Sequence, residues 1–213
     1  MLIIGAKGHA IEILDIIEES IPTTLTFYDD INKYDDPRLY SKFKIITHLD
    51  DAKEYLKTDN RFILGIGGPA IRKMLADKFI SMGGSLFSVV SSTSRVGKYN
   101  TFLGNGINIM HNVFISNNVS IHKGSLINAS ASIHHDVEIG EFSEIGPLAV
   151  ILGNVNIGNY NFIGANSKIL PSVTLGDNVI IGSGSVVTEN IPENSLAVGT
   201  PARVIRKLIP VKL

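Results

Sequence analysis

Aliphatic side chains recur at every sixth residue through the C-terminal half of the chain. The series has fifteen members, and all of them are Ile, Leu or Val: Leu103, Ile109, Ile115, Ile121, Ile127, Ile133, Ile139, Ile145, Ile151, Ile157, Ile163, Ile169, Leu175, Ile181 and Val187. Four residues after most members the side chain is small or β-branched, and Ile107 and Asn161 are the exceptions. A period of six fits neither an amphipathic helix nor a simple alternating strand, but it is typical of a hexapeptide solenoid whose short strands form the sides of a prism. The pattern therefore predicts five coils around an aliphatic interior.

The first 90 residues or so have a different rhythm, in which short apolar strands, glycine turns and amphipathic helices alternate. Strands are predicted at Leu2–Ile4, Leu25–Tyr28, Arg61–Leu64 and Leu86–Val90, and helices from Ala10 to Ile17, from Asp50 to Leu56 and from Pro69 to Phe79. Ala10, Ile11, Ile13, Leu14 and Ile17 form the expected apolar face of the first helix, and Ile71, Met74, Leu75 and Phe79 that of the last. This alternation is typical of a small parallel sheet with Rossmann-like connections.

These two rhythms predict two domains of different class. An α/β, Rossmann-like domain is expected over residues 1–92, and an all-β parallel helix with a C-terminal tail over residues 93–213. Residues 91–98 are expected to bridge the two domains.

Charge and composition exclude several classes of function. Nineteen basic and twenty acidic residues leave a net charge of -1, and there is no basic run for a nucleic-acid backbone. The absence of cysteine excludes disulfides, thiolate metal ligands and a cysteine acyl-enzyme. The apolar run before Gly5 is too short for a signal peptide, and no segment has the roughly 18 apolar residues of a membrane span. We therefore expect a cytoplasmic protein with neither nucleic acid nor membrane as partner.

The first glycine turn is a candidate nucleotide site. Gly5, Gly8 and His9 lie between a predicted strand and a predicted helix, and Asp29 closes the next strand. Amide groups at the start of that helix would face a phosphate, and an acid at the tip of the neighbouring strand suits a ribose or base contact. A second glycine turn, at Gly67–Gly68, would lie beside the first. The full G-x-G-x-x-G fingerprint is not present, so a plain connecting turn remains the alternative.

A second candidate is the run His134-His135-Asp136, which directly follows Ile133 of the aliphatic series. A neutral imidazole beside a carboxylate is the usual arrangement of a general base that works near neutral pH. Adjacent residues of an extended strand point to opposite faces, so His135 and Asp136 can cooperate only at a corner of the prism. Solvated corner residues without a catalytic role are the alternative.

At this point the sequence resembles a known family, the hexapeptide acyltransferases. Within it, the chain is similar to the nucleotide-4-amino-sugar N-acetyltransferases of bacillosamine and perosamine type and to the sialic acid O-acetyltransferase-like proteins. The motifs that carry the resemblance are Leu-Ile-Ile-Gly-Ala-Lys-Gly-His-Ala with the later Tyr-Asp-Asp, Ile-Asn-Ala-Ser, His-His-Asp-Val-Glu-Ile-Gly-Glu-Phe, Gly-Asn-Val-Asn-Ile-Gly and Val-Gly-Thr-Pro-Ala-Arg-Val-Ile.

The resemblance implies a left-handed winding of the β-helix, a homotrimer, and acetyl-CoA bound along the groove between two subunits, with no metal. It implies that the N-terminal domain holds a nucleotide-linked amino-sugar through Lys7, Gly8, His9, Asp29, Asp30 and Gly67. In the catalytic centre that it implies, His135 is the general base, Asp136 orients it, Asn128 helps to position the pair, and the amide of Gly153 stabilises the oxyanion. The residues implied at the acetyl-CoA site are Glu144, Ala165 and Ser183. Glu144 departs from the bacillosamine members, which tend to have a histidine there.

Three other functions remain open at this stage. The same base would activate a hydroxyl in a sugar O-acetyltransferase of the sialic acid type. A catalytically inactive trimeric scaffold would keep the fold without the chemistry, and some β-helical carbonic anhydrases hold zinc between histidines of adjacent subunits. The sequence does not select among UDP, GDP and dTDP as the nucleotide.

Overall fold

The computed structural model describes residues 1–20 and 24–211, so residues 21–23 and 212–213 of the two predicted domains lie outside the described residues. In the described part of the N-terminal half, six strands form one sheet in the order β3-β4-β2-β1-β5-β6, and only β3 is antiparallel to its neighbour. These strands are β1 (Leu2–Ile4), β2 (Thr26–Tyr28), β3 (Arg38–Leu39), β4 (Phe43–Ile46), β5 (Arg61–Leu64) and β6 (Ser85–Leu86). The helices are α1 (His9–Glu12), α2 (Leu14–Ser20), α3 (Leu49–Thr58) and α4 (Pro69–Ser81). No helix in residues 1–20 and 24–211 is long and apolar enough to cross a membrane.

The remaining strands form three parallel faces of a prism, each strand pairing with the next one in its face. The first face contains β7 (Val89–Val90), β10 (Asn108–Ile109), β13 (Leu126–Ile127), β16 (Glu144–Ile145), β19 (Phe162–Ile163), β22 (Val179–Ile181), β24 (Ser195–Gly199) and the antiparallel β25 (Ala202–Lys207). The second face contains β8 (Arg95–Val96), β11 (Phe114–Ile115), β14 (Ser132–Ile133), β17 (Val150–Ile151), β20 (Lys168–Ile169) and β23 (Val186–Val187). The third face contains β9 (Phe102–Leu103), β12 (Ser120–Ile121), β15 (Glu138–Ile139), β18 (Asn156–Ile157) and β21 (Thr174–Leu175).

The aliphatic series forms the interior of this left-handed β-helix, as predicted. Ile109 pairs with Ile127, and Ile127 pairs in turn with Ile145, so each coil of three hexads places its aliphatic residues on those of the previous coil. Every member of the series from Ile109 onward is buried. Burial against neighbouring coils is the source of stability in such a stack.

Asn161, an exception to the six-residue pattern, has a structural reason. In the two preceding coils the hydroxyls of Ser125 and Ser143 donate to the carbonyls of Gly140 and Gly158, at 2.9 and 3.0 Å. Asn161 makes the equivalent bond with its amide, which donates to the Gly176 carbonyl at 3.0 Å. The polar column inside the prism therefore remains paired where the side chain changes.

The prism begins earlier than the sequence predicts. The prediction of one strand over Leu86–Val90 is wrong, because two strands lie there: β6 ends the N-terminal sheet and β7 begins the first face of the prism. The Phe87 amide donates to the Phe62 carbonyl and the Val89 amide donates to the Ile107 carbonyl, both at 2.8 Å. The predicted bridge over residues 91–98 is also wrong in part, since it contains β8 of the second face.

Helix α4 buries Phe79 as predicted, but two other residues of the predicted apolar face are exposed. Ile71 and Met74 are 53% and 60% exposed and line a groove of about 760 Å³ beside the C-terminal tail. The buried residues are Arg72, Ala76 and Phe79, because the Arg72 side chain finds backbone carbonyls as partners inside the protein. In the first helical segment, Ile11 is likewise 37% exposed instead of buried.

The N-terminal domain packs against the outer side of the first prism face. The first residues of three strands on that face, Asn108, Leu126 and Glu144, point outward and are nevertheless buried. Phe142, at a neighbouring corner, is fully buried among Leu64 and Phe79 of the N-terminal domain. A Cβ atom at Gly124 would collide with the Phe142 ring, so this anchor requires a glycine there. The packing fixes which edges of the prism remain open.

Candidate active site

His135 and Asp136 meet at the corner between the second and third faces, which we call the His135 edge. The imidazole Nδ1 lies 2.7 Å from Asp136 Oδ2, and the two side chains are 65% and 50% exposed. Asp136 has a φ of +59°, and this left-handed turn lets two consecutive side chains project together. His134 instead stays on the second face, with its ring 6.0 Å from that of Phe114.

Asn118 completes this group, although the sequence did not single it out. Its side-chain amide donates to Asp136 Oδ1 at 3.0 Å from one coil earlier. The hydrogen bonds from His135 and then from Asn118 lower the pKa of Asp136. The Asp136 carboxylate therefore accepts a hydrogen bond from the Nδ1–H group of His135, which leaves Nε2 of His135 as an acceptor at the surface. The available signal was the spacing of 18 residues, one full coil, between Asn118 and Asp136.

Gly153 lies directly against the His135 ring in the next coil. A Cβ atom at Gly153 would be 2.6 Å from the imidazole Cε1 and 2.8 Å from Nε2, closer than any side chain is accommodated. Within the described part of the chain the Gly153 amide donates no hydrogen bond. A free N–H group therefore accompanies the imidazole on the same edge.

Ala165 and Ser183 lie on a different corner, between the first and second faces, which we call the Ser183 edge. They occupy equivalent turns of successive coils, where the Gly184 amide donates to the Ala165 carbonyl at 2.8 Å. The amides of Ala165 and Ser183 themselves have no acceptor among the described residues. The whole second face separates this edge from the His135 edge, so one chain does not bring the two together.

Asn128 and Glu144 contact each other and not the His135 pair. The Asn128 amide donates to Glu144 Oε1 at 3.3 Å, and the Gly68 amide donates to Glu144 Oε2 at 2.7 Å. The prediction that Asn128 positions His135 is therefore not met within one chain. The second glycine turn is also not free for a phosphate, because the carboxylate of Glu144 occupies its amide.

A pocket of about 210 Å³ opens at the carboxyl ends of β1, β2 and β5. Its walls include Ile4, Gly5, Ala6, Lys7, Tyr28, Asp29, Asp30, Ile31, Asn32, Ile66 and Leu75. Ligands of open α/β sheets bind at this end of the strands. Three predicted substrate contacts, Lys7, Asp29 and Asp30, thus lie in one pocket, whereas Gly8, His9 and Gly67 do not line it.

Asp29 is occupied by its own loop. It accepts hydrogen bonds from the amides of Ile31 and Asn32, from the Asn32 side chain and from the Tyr34 hydroxyl, at 2.6 to 3.0 Å. Burial alone would raise the pKa of Asp29, but these bonds outweigh it and lower the pKa. Asp30 is more open and accepts one bond from the Tyr28 hydroxyl at 2.6 Å. Asp30 and Lys7 are therefore the charged groups with room for a ligand.

His9 points away from that pocket and into the contact between the two domains. Its Nε2 lies 2.9 Å from Asn108 Nδ2 on the first face of the prism. Burial, followed by the charge of Arg72, lowers the pKa of His9 to about 3. The ring is therefore neutral, and its place is in the domain contact rather than at the substrate. No three His, Asp or Glu side chains within residues 1–20 and 24–211 converge as a metal site requires.

Comparison with known proteins finds one family match in each half of the chain. Residues 1–79 match the family described as the PglD N-terminal domain. Residues 118–153 and 154–189 match the family described as bacterial transferase hexapeptide (six repeats).

Solved structures match almost the whole chain. A mutant of perosamine N-acetyltransferase from Caulobacter crescentus, in complex with CoA and GDP-perosamine, is 26% identical, and the match covers 97% of this chain and 96% of that one with a TM-score of 0.86. The acetyltransferase domain of PglB from Neisseria gonorrhoeae, in complex with acetyl coenzyme A, is 22% identical over 96% and 98% of the two chains, with a TM-score of 0.84. WeeI from Acinetobacter baumannii is 23% identical over 96% and 98%, with a TM-score of 0.86. The two domain matches and the shared architecture lead to one conclusion: the chain belongs to the bacterial hexapeptide transferases that carry a PglD-type N-terminal domain.

Proposed function

We propose that the protein is an acetyl-CoA-dependent N-acetyltransferase that acts on the amino group of a nucleotide-linked amino-sugar in bacterial glycan biosynthesis. The observation that carries this proposal is the His135–Asp136 pair, with 2.7 Å between Nδ1 and Oδ2 and an unoccupied Nε2 at the surface. The perosamine N-acetyltransferase complex, with its bound CoA and GDP-perosamine, supports the choice of both substrates.

His135 is the general base in this reaction. As the neutral amine attacks the thioester carbonyl, Nε2 takes the proton that the nitrogen loses. The imidazolium formed in this way is stabilised by the anionic Asp136, and it returns the proton to the departing thiolate when the C–S bond breaks. In this scheme the acetyl group passes directly to the amine, and a cysteine acyl-enzyme is excluded because the chain has no cysteine.

Gly153 supplies the oxyanion contact. Its amide lies beside the imidazole and donates to no other group of the described chain. A donor that is fixed before the reaction stabilises the negative charge on the carbonyl oxygen without reorganisation.

The pocket of the N-terminal domain binds the nucleotide-sugar. We assign this task to the N-terminal domain, predicted over residues 1–92 but ending in the structure with β6, and acetyl transfer to the prism that begins with β7. Lys7 neutralises phosphate charge, which is supported by its few contacts: among the described residues its Nζ meets only the Asn32 side chain at 3.2 Å and the Tyr34 ring at 5.3 Å. We place the reaction in the cytoplasm, where acetyl-CoA and nucleotide-sugars are made.

A homotrimer assembles the complete site. The N-terminal domain covers the first face, and the His135 edge is the prism corner opposite to that face. The Ser183 edge, whose free amides suit the pantetheine arm, borders the first face. Packing the His135 edge of one subunit against the Ser183 edge of the next unites base, acetyl donor and amino-sugar, and closed rotational symmetry repeats the site at every interface.

The test is an assay of free thiol release from acetyl-CoA across a panel of UDP-, GDP- and dTDP-linked amino-sugars. Turnover with an amino-sugar, and none with the matching sugar that carries a hydroxyl in place of the amine, supports N-acetylation. Turnover confined to hydroxyl acceptors such as sialic acid would instead identify an O-acetyltransferase. No turnover with either class would leave an inactive scaffold.

A further inference from the structure

Glu144 joins the two domains through the start of helix α4. The Gly68 amide, which donates to Glu144 Oε2 at 2.7 Å, belongs to the residue immediately before this helix. The first turn of α4 contains no acidic residue, and Gly68 offers no side-chain cap. A carboxylate at a helix N-terminus is favoured by the helix dipole and by the unpaired amides there. In this chain that carboxylate comes from the prism, 76 residues further along.

The contact also leaves little space at the neighbouring Gly67. A Cβ atom at Gly67 would lie 3.1 Å from Glu144 Oε2. The other carboxylate oxygen accepts from Asn128 on the prism at 3.3 Å, which fixes the orientation of the group. Glu144 itself is only 9% exposed.

Arg72 supplies the opposite charge from inside the same contact. It is fully buried and donates to the carbonyls of Ile66 and Gly124, at 2.7 and 3.0 Å, so it also spans the two domains. Burial lowers the pKa of Arg72 to about 10, and the charge of Glu144 opposes this shift. Since Arg72 remains protonated near neutral pH, the buried carboxylate has a compensating charge.

The segment held in this way is continuous with a wall of the proposed substrate pocket. Ile66 lines the pocket, and Gly67 and Gly68 follow it directly. Glu144 and Arg72 therefore determine where this wall lies relative to the prism.

We infer that Glu144 is a positioning residue for the nucleotide-amino-sugar, and that it acts by holding residues 65–68 and the start of α4 on the prism. The inference rests on the proposed function for its substrate, but it assigns Glu144 to the sugar side of the site and not to acetyl-CoA. The resemblance implies that Glu144 contacts acetyl-CoA, whereas in this structure Glu144 links the two domains.

Steady-state kinetics of Glu144→Ala separate the two assignments. We expect the KM for the nucleotide-amino-sugar to rise about tenfold, since a charge-assisted hydrogen bond to the loop is lost, and the KM for acetyl-CoA to stay within about twofold. Glu144→Gln keeps an acceptor oxygen and should recover part of the loss. Glu138→Ala is the matched control, because Glu138 holds the same position one hexad earlier but is exposed to solvent. A rise confined to the KM for acetyl-CoA would overturn the inference.

A compensating variant distinguishes positioning from simple helix stabilisation. Ile71 is exposed in the first turn of α4, where a glutamate favours the helix dipole. Glu144→Ala alone should lower the thermal midpoint. In the double variant Glu144→Ala with Ile71→Glu, we expect the thermal midpoint to return toward the wild-type value while the KM for the nucleotide-amino-sugar stays high. Recovery of both quantities would show that Glu144 only stabilises α4, and would refute a positioning role.

Hydrogen exchange tests the same contact without any substrate. In Glu144→Ala the amides of residues 65–68 and of Ala70 should exchange at least about tenfold faster than in the wild type, and those of the third prism face should not change. If the wild type acetylates no nucleotide-amino-sugar, the proposed function fails, while faster exchange still supports the link. Unchanged exchange in residues 65–68 and Ala70 contradicts the link, whatever the substrate is.

Discussion

The imidazole of His135 rests on the backbone of Gly153, and no side chain fits between them. A Cβ atom at Gly153 would come within 2.8 Å of Nε2, the nitrogen that we assign to proton transfer. The glycine is therefore required by the position of the base as well as by its own amide.

Gly153→Ala should lower kcat by about 100-fold, because a displacement of the base by about 1 Å is enough to cost that much. Circular dichroism and the thermal midpoint should show a folded protein. Since the methyl group acts through His135, adding His135→Ala should cause no further loss beyond that of His135→Ala alone. Additive losses would mean that the methyl group blocks something other than the base.

His135→Ala should reduce kcat by about 10²- to 10⁴-fold, the usual contribution of a general base. Its thermal midpoint should change little, since the side chain is largely exposed. Asp136→Ala should cost less, because it removes only the orienting carboxylate. His134→Ala is the control and should cost least, as its ring lies on the second face. If His134→Ala abolished turnover and His135→Ala did not, the base would be assigned one residue too late.

Mixed trimers test whether each site needs two subunits. His135→Ala removes the base from one edge, and Ser183→Trp blocks the other edge at an exposed turn. In any mixed trimer of the two variants, one of the three interfaces has both edges intact, so random mixing should restore about a quarter of the wild-type activity. Light scattering should give about three times the chain mass of 23.0 kDa. A fully active monomer, or no recovery after subunit exchange, would refute the shared site.

The interior of the prism could be predicted from the sequence because each coil repeats the same packing arrangement. Ile127, for example, pairs with its equivalents in the coils before and after it, so the six-residue pattern is enough to predict its environment. The corner pair of His135 and Asp136 follows from the same register.

The contact between the domains could not be predicted in this way. His9 was assigned to substrate by the family resemblance of its glycine turn, yet its partner is Asn108, 99 residues away. Ile71 and Met74 were placed inward by helical periodicity, but the buried side belongs to Arg72, whose acceptors are carbonyls of both domains. A local pattern gives no information on partners that come from another domain. The strands β3 and β4 were also missed, since β3 has only two residues and the exposed Lys44 interrupts the apolar run of β4.

The two aspartates of the pocket should behave differently when they are replaced. Asp29→Ala and Asp30→Ala should both raise the KM for the nucleotide-sugar and leave that for acetyl-CoA unchanged. Only Asp29→Ala should also lower the free energy of unfolding, by about 2 kcal/mol, because it leaves several donors of residues 31–34 without an acceptor. Separate KM values and urea unfolding provide the measurement. Equal effects on both KM values would place the nucleotide elsewhere.

Stability should fall in mild acid because of His9. The folded protein keeps this ring neutral down to about pH 3, whereas the unfolded chain binds the proton near the ordinary pKa of 6.5. The contribution is therefore complete above pH 6.5 and is lost progressively as the pH falls toward 3. Between about pH 7 and about pH 4.5 the loss should be about 2–3 kcal/mol.

His9→Gln removes the titration while keeping an acceptor for Asn108. Glu12, whose carboxylate lies 3.5 Å from Nδ1, and Arg72 remain in place in this variant. Urea unfolding across this pH range should show a shallower decline for the variant than for the wild type. Parallel curves would mean that His9 titrates normally in the folded protein.

The chain crosses from the N-terminal sheet to the prism in only two residues, Phe87 and Ser88, between β6 and β7. The first of these is still bonded to Phe62 of the sheet through its amide, and Val89 is already bonded to the prism. So short and well-bonded a junction, together with the buried contact between the domains, restrains the N-terminal domain from swinging as a unit against the prism. We therefore expect access to the substrate pocket to be controlled by loops at its rim or by the subunit interface, and not by a hinge between the two domains.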